Sequence, residues 1–172
     1  MEGEAELWNF LERHLKSIYE GDWATYEATT HEELSLYEWF VTPHRLDGLD
    51  FHRFMVEKNW ATRGRPYRLD LLEKRLQRYG DVAIFTYTLL LTVEEEGGLK
   101  HRAVNESRVA VRFPEGWKGV HVHKSPAGTS RSSGESSLAF WGLQGAGRPP
   151  SSGFWPGLTP RMRGGSRSPG RT

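Results

Sequence analysis

The 172-residue chain has no cysteine. Disulfides, cysteine-bearing zinc sites and thiol catalysis are excluded together, and the composition suits a reducing compartment. Also missing is any run near the roughly 18–20 apolar residues that a membrane-crossing helix needs. The opening Met1-Glu2-Gly3-Glu4-Ala5-Glu6 is acidic and leads straight into an amphipathic pattern, so a soluble, cytoplasmic protein without a secretory leader is expected. No phosphate-binding glycine loop, nucleophile elbow or Ser-His-Asp ordering is found, and no cofactor is expected. Positive charge is scarce where a nucleic acid would need it. Residues 1–126 hold 17 Lys and Arg against 21 Asp and Glu, whereas residues 127–172 hold six Arg and one Glu. Neither nucleic acid nor membrane is therefore expected as a partner.

What is present divides at Lys124-Ser125-Pro126. Residues 127–172 carry ten Gly, nine Ser, five Pro and six Arg without apolar periodicity, the composition of a disordered tail. Residues 1–126 are long enough to bury one core and form one domain.

Within that domain, Leu7, Phe10, Leu11, His14, Leu15, Ile18 and Tyr19 recur at helical spacing and predict a helix over residues 4–20. Gly21 ends it, and Asp22 is placed to cap a second, short helix that buries Trp23 and Tyr26. Residues 33–41 read as a strand, with Leu34, Leu36 and Glu38 on one side, stopped by Pro43. The stretch Gly48 to Met55 predicts a short helix with His52 beside an apolar stripe of Phe51, Phe54 and Met55. Four further strands are expected at 67–77, 81–93, 101–113 and 117–124, joined by short Gly-containing turns that enforce an antiparallel meander. The fold class is α+β: N-terminal helices packed on a strongly curved antiparallel sheet, leaving a cone-like pocket.

The run Gly48-Leu49-Asp50-Phe51-His52-Arg53-Phe54 resembles a segment of the association (hub) domain of calcium/calmodulin-dependent protein kinase type II. The likeness is collinear over about residues 6–126. It includes Glu20-Gly21-Asp22-Trp23-Ala24-Thr25-Tyr26, Tyr37-Glu38, Gly97-Gly98, Glu106-Ser107-Arg108-Val109, Gly116-Trp117-Lys118 and the closing Val120-His121-Val122-His123-Lys124-Ser125. The resemblance implies a cone-shaped, nuclear transport factor 2-like fold and self-assembly into dimers or closed rings. It also implies a deep pocket, lined by arginines, that holds a small carboxylate.

Carried over position by position, the resemblance makes Arg108, His52, Glu38, Lys124 and Glu106 the ligand-binding candidates. Strand alternation puts Val104, Glu106, Arg108, Ala110 and Arg112 on one face. A guanidinium there suits bidentate capture of a carboxylate, or else an ion pair with Glu106 or Glu38. His52 is either an anion donor or a satisfied core histidine. The family's other two pocket arginines fall at Thr88 and Lys124, which weakens the case for its ligand. His121 and His123 share one strand face and are a weak metal candidate, with His52 or Glu106 as the third ligand.

Three functions remain. The favoured one is a non-catalytic association domain that assembles with itself through sheet faces and edges, aided by aromatics such as Trp39, Trp60 and Trp117. The second is a small-molecule enzyme of isomerase, cyclase or hydrolase type using His52, Asp70 or Tyr87 as acid or base. Its signature would be a carboxylate or histidine with a strongly perturbed pKa deep in an apolar cavity, with no basic partner. The third is a module that senses a small carboxylate.

Overall fold

The computed structural model describes residues 3–127. The tail expected over 127–172 lies outside them from residue 128 on. The chain forms α1 (Glu4–Glu20), α2 (Trp23–Ala28), β1 (Thr30–Glu38), β2 (Leu46–Asp47) and α3 (Asp50–Met55), the last widening into a π-helical turn (Val56–Trp60). Four long strands follow: β3 (Tyr67–Tyr79), β4 (Val82–Glu95), β5 (Gly98–Phe113) and β6 (Gly116–Pro126). Among the described residues no helix is long and apolar enough to cross a membrane.

The helix boundaries have local causes. The Gly3 N–H donates to Glu6 Oε2 at 2.8 Å and starts α1. Gly21 ends it at φ 70°, a left-handed conformation that costs glycine little, and a Cβ there would stand 3.2 Å from that of Ala61. Asp22 caps α2, its Oδ1 accepting from the Thr25 N–H at 3.0 Å. The apolar stripe of α1 is buried as its spacing demands: Leu7, Leu11, Leu15 and Ile18 pack with Phe85, Leu89 and Leu91 of β4. Burial of each such side chain contributes about 1.5–3 kcal/mol.

The strands form one six-stranded sheet in the order β2-β1-β6-β5-β4-β3. The meander β3 to β6 is antiparallel, as the short turns require. β1 joins it parallel to β6, so the sheet is mixed. Short turns dictate pairing only between consecutive strands, and β1 reaches β6 across most of the domain.

Register decides what faces inward. One rung runs Glu38, Lys124, Glu106, Tyr87 across β1, β6, β5 and β4; the next inward rung runs Leu36, Val122, Arg108, Phe85, Leu76 into β3. Between them the rung Tyr37, His123, Ser107, Thr86 faces the other way. The helices cover the inward face, and polar side chains on its rungs are therefore enclosed.

The tryptophans expected to aid interfaces lie in or against the core of the single chain. Trp60 and Trp117 are buried in the core, and Trp39 packs against it half-buried. A count of aromatics does not reveal this burial.

Candidate functional site

Inside the cone, a buried polar cluster is assembled from five elements. β5 supplies Glu106 and Arg108, β6 supplies Lys124, β1 supplies Glu38, β4 supplies Tyr87, and α1 closes the cluster with His14. Arg108 is its hub. Its Nε donates to Glu106 Oε2 at 2.9 Å and to Tyr87 Oη at 3.0 Å, and one terminal nitrogen donates to His14 Nε2 at 3.0 Å. Tyr87 Oη donates in turn to Glu106 Oε2 at 2.6 Å. Because His14 Nε2 accepts, its proton sits on Nδ1, which donates to Thr29 Oγ1 at 2.8 Å. Thr29 passes the chain to the backbone carbonyls of Thr25 and Tyr26.

A second arm surrounds Lys124. Its Nζ donates to Glu38 Oε2 at 2.6 Å and lies 4.4 Å from the centre of the Trp60 ring, a cation–π contact in a desolvated place. Trp60 stacks edge-on to His52, and His52 Nδ1 is hydrogen-bonded to Tyr26 Oη. Among the described residues, four polar atoms here have no hydrogen-bond partner: Arg108 Nη2, His52 Nε2, Glu38 Oε1 and Trp60 Nε1.

Burial and charge set the protonation states. Burial pushes His14 and His52 well below the usual imidazole value, and the cations Arg108 and Lys124 push the same way, so both are neutral at pH 7. Glu106 is also desolvated, but Arg108, Lys124 and the Tyr87 hydroxyl outweigh burial and hold it below the ordinary carboxylate range. At Glu38 burial prevails over Lys124, and its pKa is raised. Arg108 is held above its ordinary value because Glu106 and the nearby phenols outweigh its burial.

The ligand-binding residues expected at the site are thus brought together. Arg108, His52, Glu38, Lys124 and Glu106 converge, and Tyr87 joins them as a hydrogen-bonding member. Asp70 does not: it lies on the outer face of β3, paired with Arg68 at 2.9 Å. Thr88 does not either. It sits on the outer face, donating to Asn105 Oδ1 at 2.8 Å, so position 88 cannot hold a pocket arginine; its inward neighbours are Tyr87 and Leu89. A one-residue offset in the carry-over exchanges the two faces. Arg112, placed on the inward face by alternation, is exposed near the end of β5, past the register shift after Val109.

His121 and His123 do share a face, but it is the outer one, opposite His52 and Glu106, so neither of those is a third ligand. Among the described residues no three His, Asp or Glu side chains come together to hold a metal. His14 and Tyr26 join the site although the sequence pattern marks them only as buried helix positions. A histidine within an apolar helical stripe was the available signal.

Little free space is left beside the guanidinium of Arg108. Beside Arg108, between Phe10, Leu11, His14, Thr30 and Phe85, a cavity of about 10 Å³ remains, space for roughly one water. The larger hollow, about 330 Å³, is an open groove on α1 flanked by Glu12, Arg13, Lys16 and Asp22, away from this cluster. Glu106 and Glu38 are the carboxylates that the cations Arg108 and Lys124 already hold.

The calcium/calmodulin dependent protein kinase II association domain model matches residues 3–128. This chain belongs to that family. Calcium/calmodulin-dependent protein kinase type II subunit delta of Oryctolagus cuniculus is 27% identical over 126 residues, 72% of this chain but only 24% of that protein. This association domain therefore spans about a quarter of the curated relative it matches. Among solved structures, the S. rosetta CaMKII hub is similar at TM-score 0.62 and 27% identity, covering 74% of this chain and 99% of the hub. A nuclear transport factor 2-like superfamily protein from Salmonella enterica is similar at TM-score 0.57 and 25% identity, covering 76% of this chain and 96% of that one. The fold of the association domain is accordingly the cone-shaped, nuclear transport factor 2-like α+β fold.

Proposed function

We propose that this chain is a non-catalytic association domain that assembles with copies of itself through the outer face of its sheet. One observation carries this reading. Over Ile84–Leu90, Ala103–Val109 and His121–Ser125 the outward positions are Ile84, Thr86, Thr88, Leu90, Ala103, Asn105, Ser107, Val109, His121, His123 and Ser125, without one Lys, Arg, Asp or Glu. Charged side chains lie at the rim, at Asp47 on β2 and at Arg68, Asp70 and Arg75 on β3. A core depleted of charge inside a charged rim is the composition of a protein interface, and the half-buried Ile84, Leu90 and Val109 supply its apolar part. Membership of the association-domain family supports the same partner, a second copy. The face is self-complementary in kind, as a two-fold contact requires.

The test is absolute mass by light scattering on a sizing column, for the parent and for Val109→Glu. The expected result is a parent of two or more subunits and a variant of lower mass with unchanged circular dichroism. A monomeric parent overturns the proposal.

A second reading, binding of a small anion such as a carboxylate at Arg108, is favoured by its unpartnered Nη2 and by the unpartnered His52 Nε2. Glu106 and Glu38 now act as the internal carboxylates of the cluster, so an external one must displace them. Acetate titration followed by Trp60 fluorescence tests it, Glu106→Gln binding more tightly than the parent. The acid–base enzyme reading has less support. Asp70 lies outside the cone, the perturbed Glu38 has Lys124 as a basic partner, and the perturbed His52 has the cations Lys124 and Arg108 nearby.

A further inference from the structure

The uncharged outer field contains two titratable side chains, His121 and His123, one rung apart on β6. Their surroundings can be followed strand by strand. On β1, Ser35 lies opposite His121 with its hydroxyl 2.7 Å from His121 Nδ1, and Tyr37 lies opposite His123 with ring centres 5.1 Å apart. On β5 the cross-strand neighbours are Val109 and Ser107, neither of which titrates in this range. On β2, Asp47 stands beyond Ser35 in the same rung, but Arg45 holds it in a two-point ion pair at 2.8 and 3.1 Å. Among the described residues no carboxylate pairs with either histidine. Partial burial, the neighbouring His123 and the charge of Arg45 together keep His121 below the usual imidazole value, so it is uncharged at neutral pH.

We propose that His121 and His123 are an acid release for self-association: protonating them places unpaired charge in the middle of the uncharged contact face and separates the copies. This rests on the outer-face reading above and names the regulation of that same surface. The argument is one of desolvation. A neutral imidazole can be covered by a second copy with its hydrogen bond to Ser35 intact. An imidazolium there meets no paired acid among the described residues, and a charge enclosed without a partner is strongly unfavourable. A two-fold contact doubles the effect, since each copy brings the same pair to the same interface. On the rim, Asp47 is already paired with Arg45 and Asp70 with Arg68, and Glu33 is exposed two residues before Ser35 on β1.

The experiment is light scattering on the full chain at pH 7.5 and pH 5.5, with near-UV circular dichroism on the same samples. Beside the parent it uses His121→Gln/His123→Gln and, as a fixed-charge mimic, His123→Lys. The expected result is an apparent dissociation constant at least tenfold higher at pH 5.5 for the parent, with its dichroism unchanged. The double Gln variant keeps its mass at both pH values, and His123→Lys is already dissociated at pH 7.5. Equal parent mass at both pH values overturns the proposal. So does pH-dependent dissociation of the double Gln variant, or dissociation that occurs only together with loss of the dichroism. A parent monomeric at pH 7.5 instead overturns the association reading beneath it, and the two failures are thereby told apart.

Discussion

Lys124 Nζ lies 2.6 Å from Glu38 Oε2, and the pair ties the last strand to the first across the parallel seam of the sheet. Both side chains are buried, so neither charge is tolerated alone. Lys124→Met is expected to lower unfolding free energy by about 3–5 kcal/mol at pH 7.5. The loss shrinks as pH falls, because the raised pKa of Glu38 lets it take up a proton and become neutral. Pairing the change with Glu38→Leu removes both charges and is expected to return stability to within about 1 kcal/mol of the parent. Urea denaturation of the two variants at pH 7.5 and 5.5 checks this, and a single variant as stable as the double one would refute it.

The Tyr87 hydroxyl is the hinge of the other arm, donating to Glu106 and accepting from Arg108. Tyr87→Phe leaves the direct Arg108–Glu106 bond of 2.9 Å in place, so its expected cost is modest, about 1–2 kcal/mol. Arg108→Ala strands Glu106 and His14 together and is expected to cost about 3–5 kcal/mol. Similar losses for the two substitutions, measured by urea denaturation, would mean that the hydroxyl and not the guanidinium organises the cluster.

Particular residues mark how far the sequence reaches. Alternation on β5 placed Glu106 and Arg108 on one inward face, and Gly-containing turns fixed the order of the meander, because both are local rules. The parallel seam was not legible, since nothing local in Thr30–Glu38 names β6 as its neighbour. Thr88 marks the limit of carrying residues over from a resemblance: with a period of two, a shift of one position turns a pocket residue into a surface one. Asp70 shows the same limit for acids, where residue type suggested chemistry and position decided against it. His14 stayed hidden inside a pattern that was correct, because an apolar stripe accounts for its burial but not for its bond to Arg108.

The two buried neutral histidines make stability fall in mild acid. For a histidine held below its unfolded value the sign is definite: the unfolded chain binds the proton first, so stability is full above about pH 6.5 and declines as pH drops toward the folded pKa. Each histidine contributes a slope of at most about 1.4 kcal/mol per pH unit. Glu38, raised instead of lowered, works in the opposite sense and offsets part of the loss as it protonates. Urea midpoints at pH 7.5 and 5.5 are expected to fall with acid, and to fall less in His14→Gln, whose side-chain oxygen can still accept from Arg108. An unchanged midpoint in the parent would contradict neutral burial of His14 and His52.

Glu73 carries the last prediction. It sits exposed at φ 50° where the pairing of β3 with β4 shifts register between Leu72 and Arg75. That bulge lets Lys74 reach over the Trp8 ring, 5.0 Å from its centre. The left-handed conformation costs a non-glycine residue about 1–2 kcal/mol, while glycine gives back part of that through the greater freedom of its unfolded chain. Glu73→Gly is therefore expected to stabilise by about 0.5–1 kcal/mol. Glu73→Val, branched at Cβ, is expected to destabilise, because the register on either side of the bulge is pinned by Leu71 and Leu76 packing on the core. Thermal melts of the two variants decide the matter: the same sign of shift for both would show that the bulge relaxes into regular pairing.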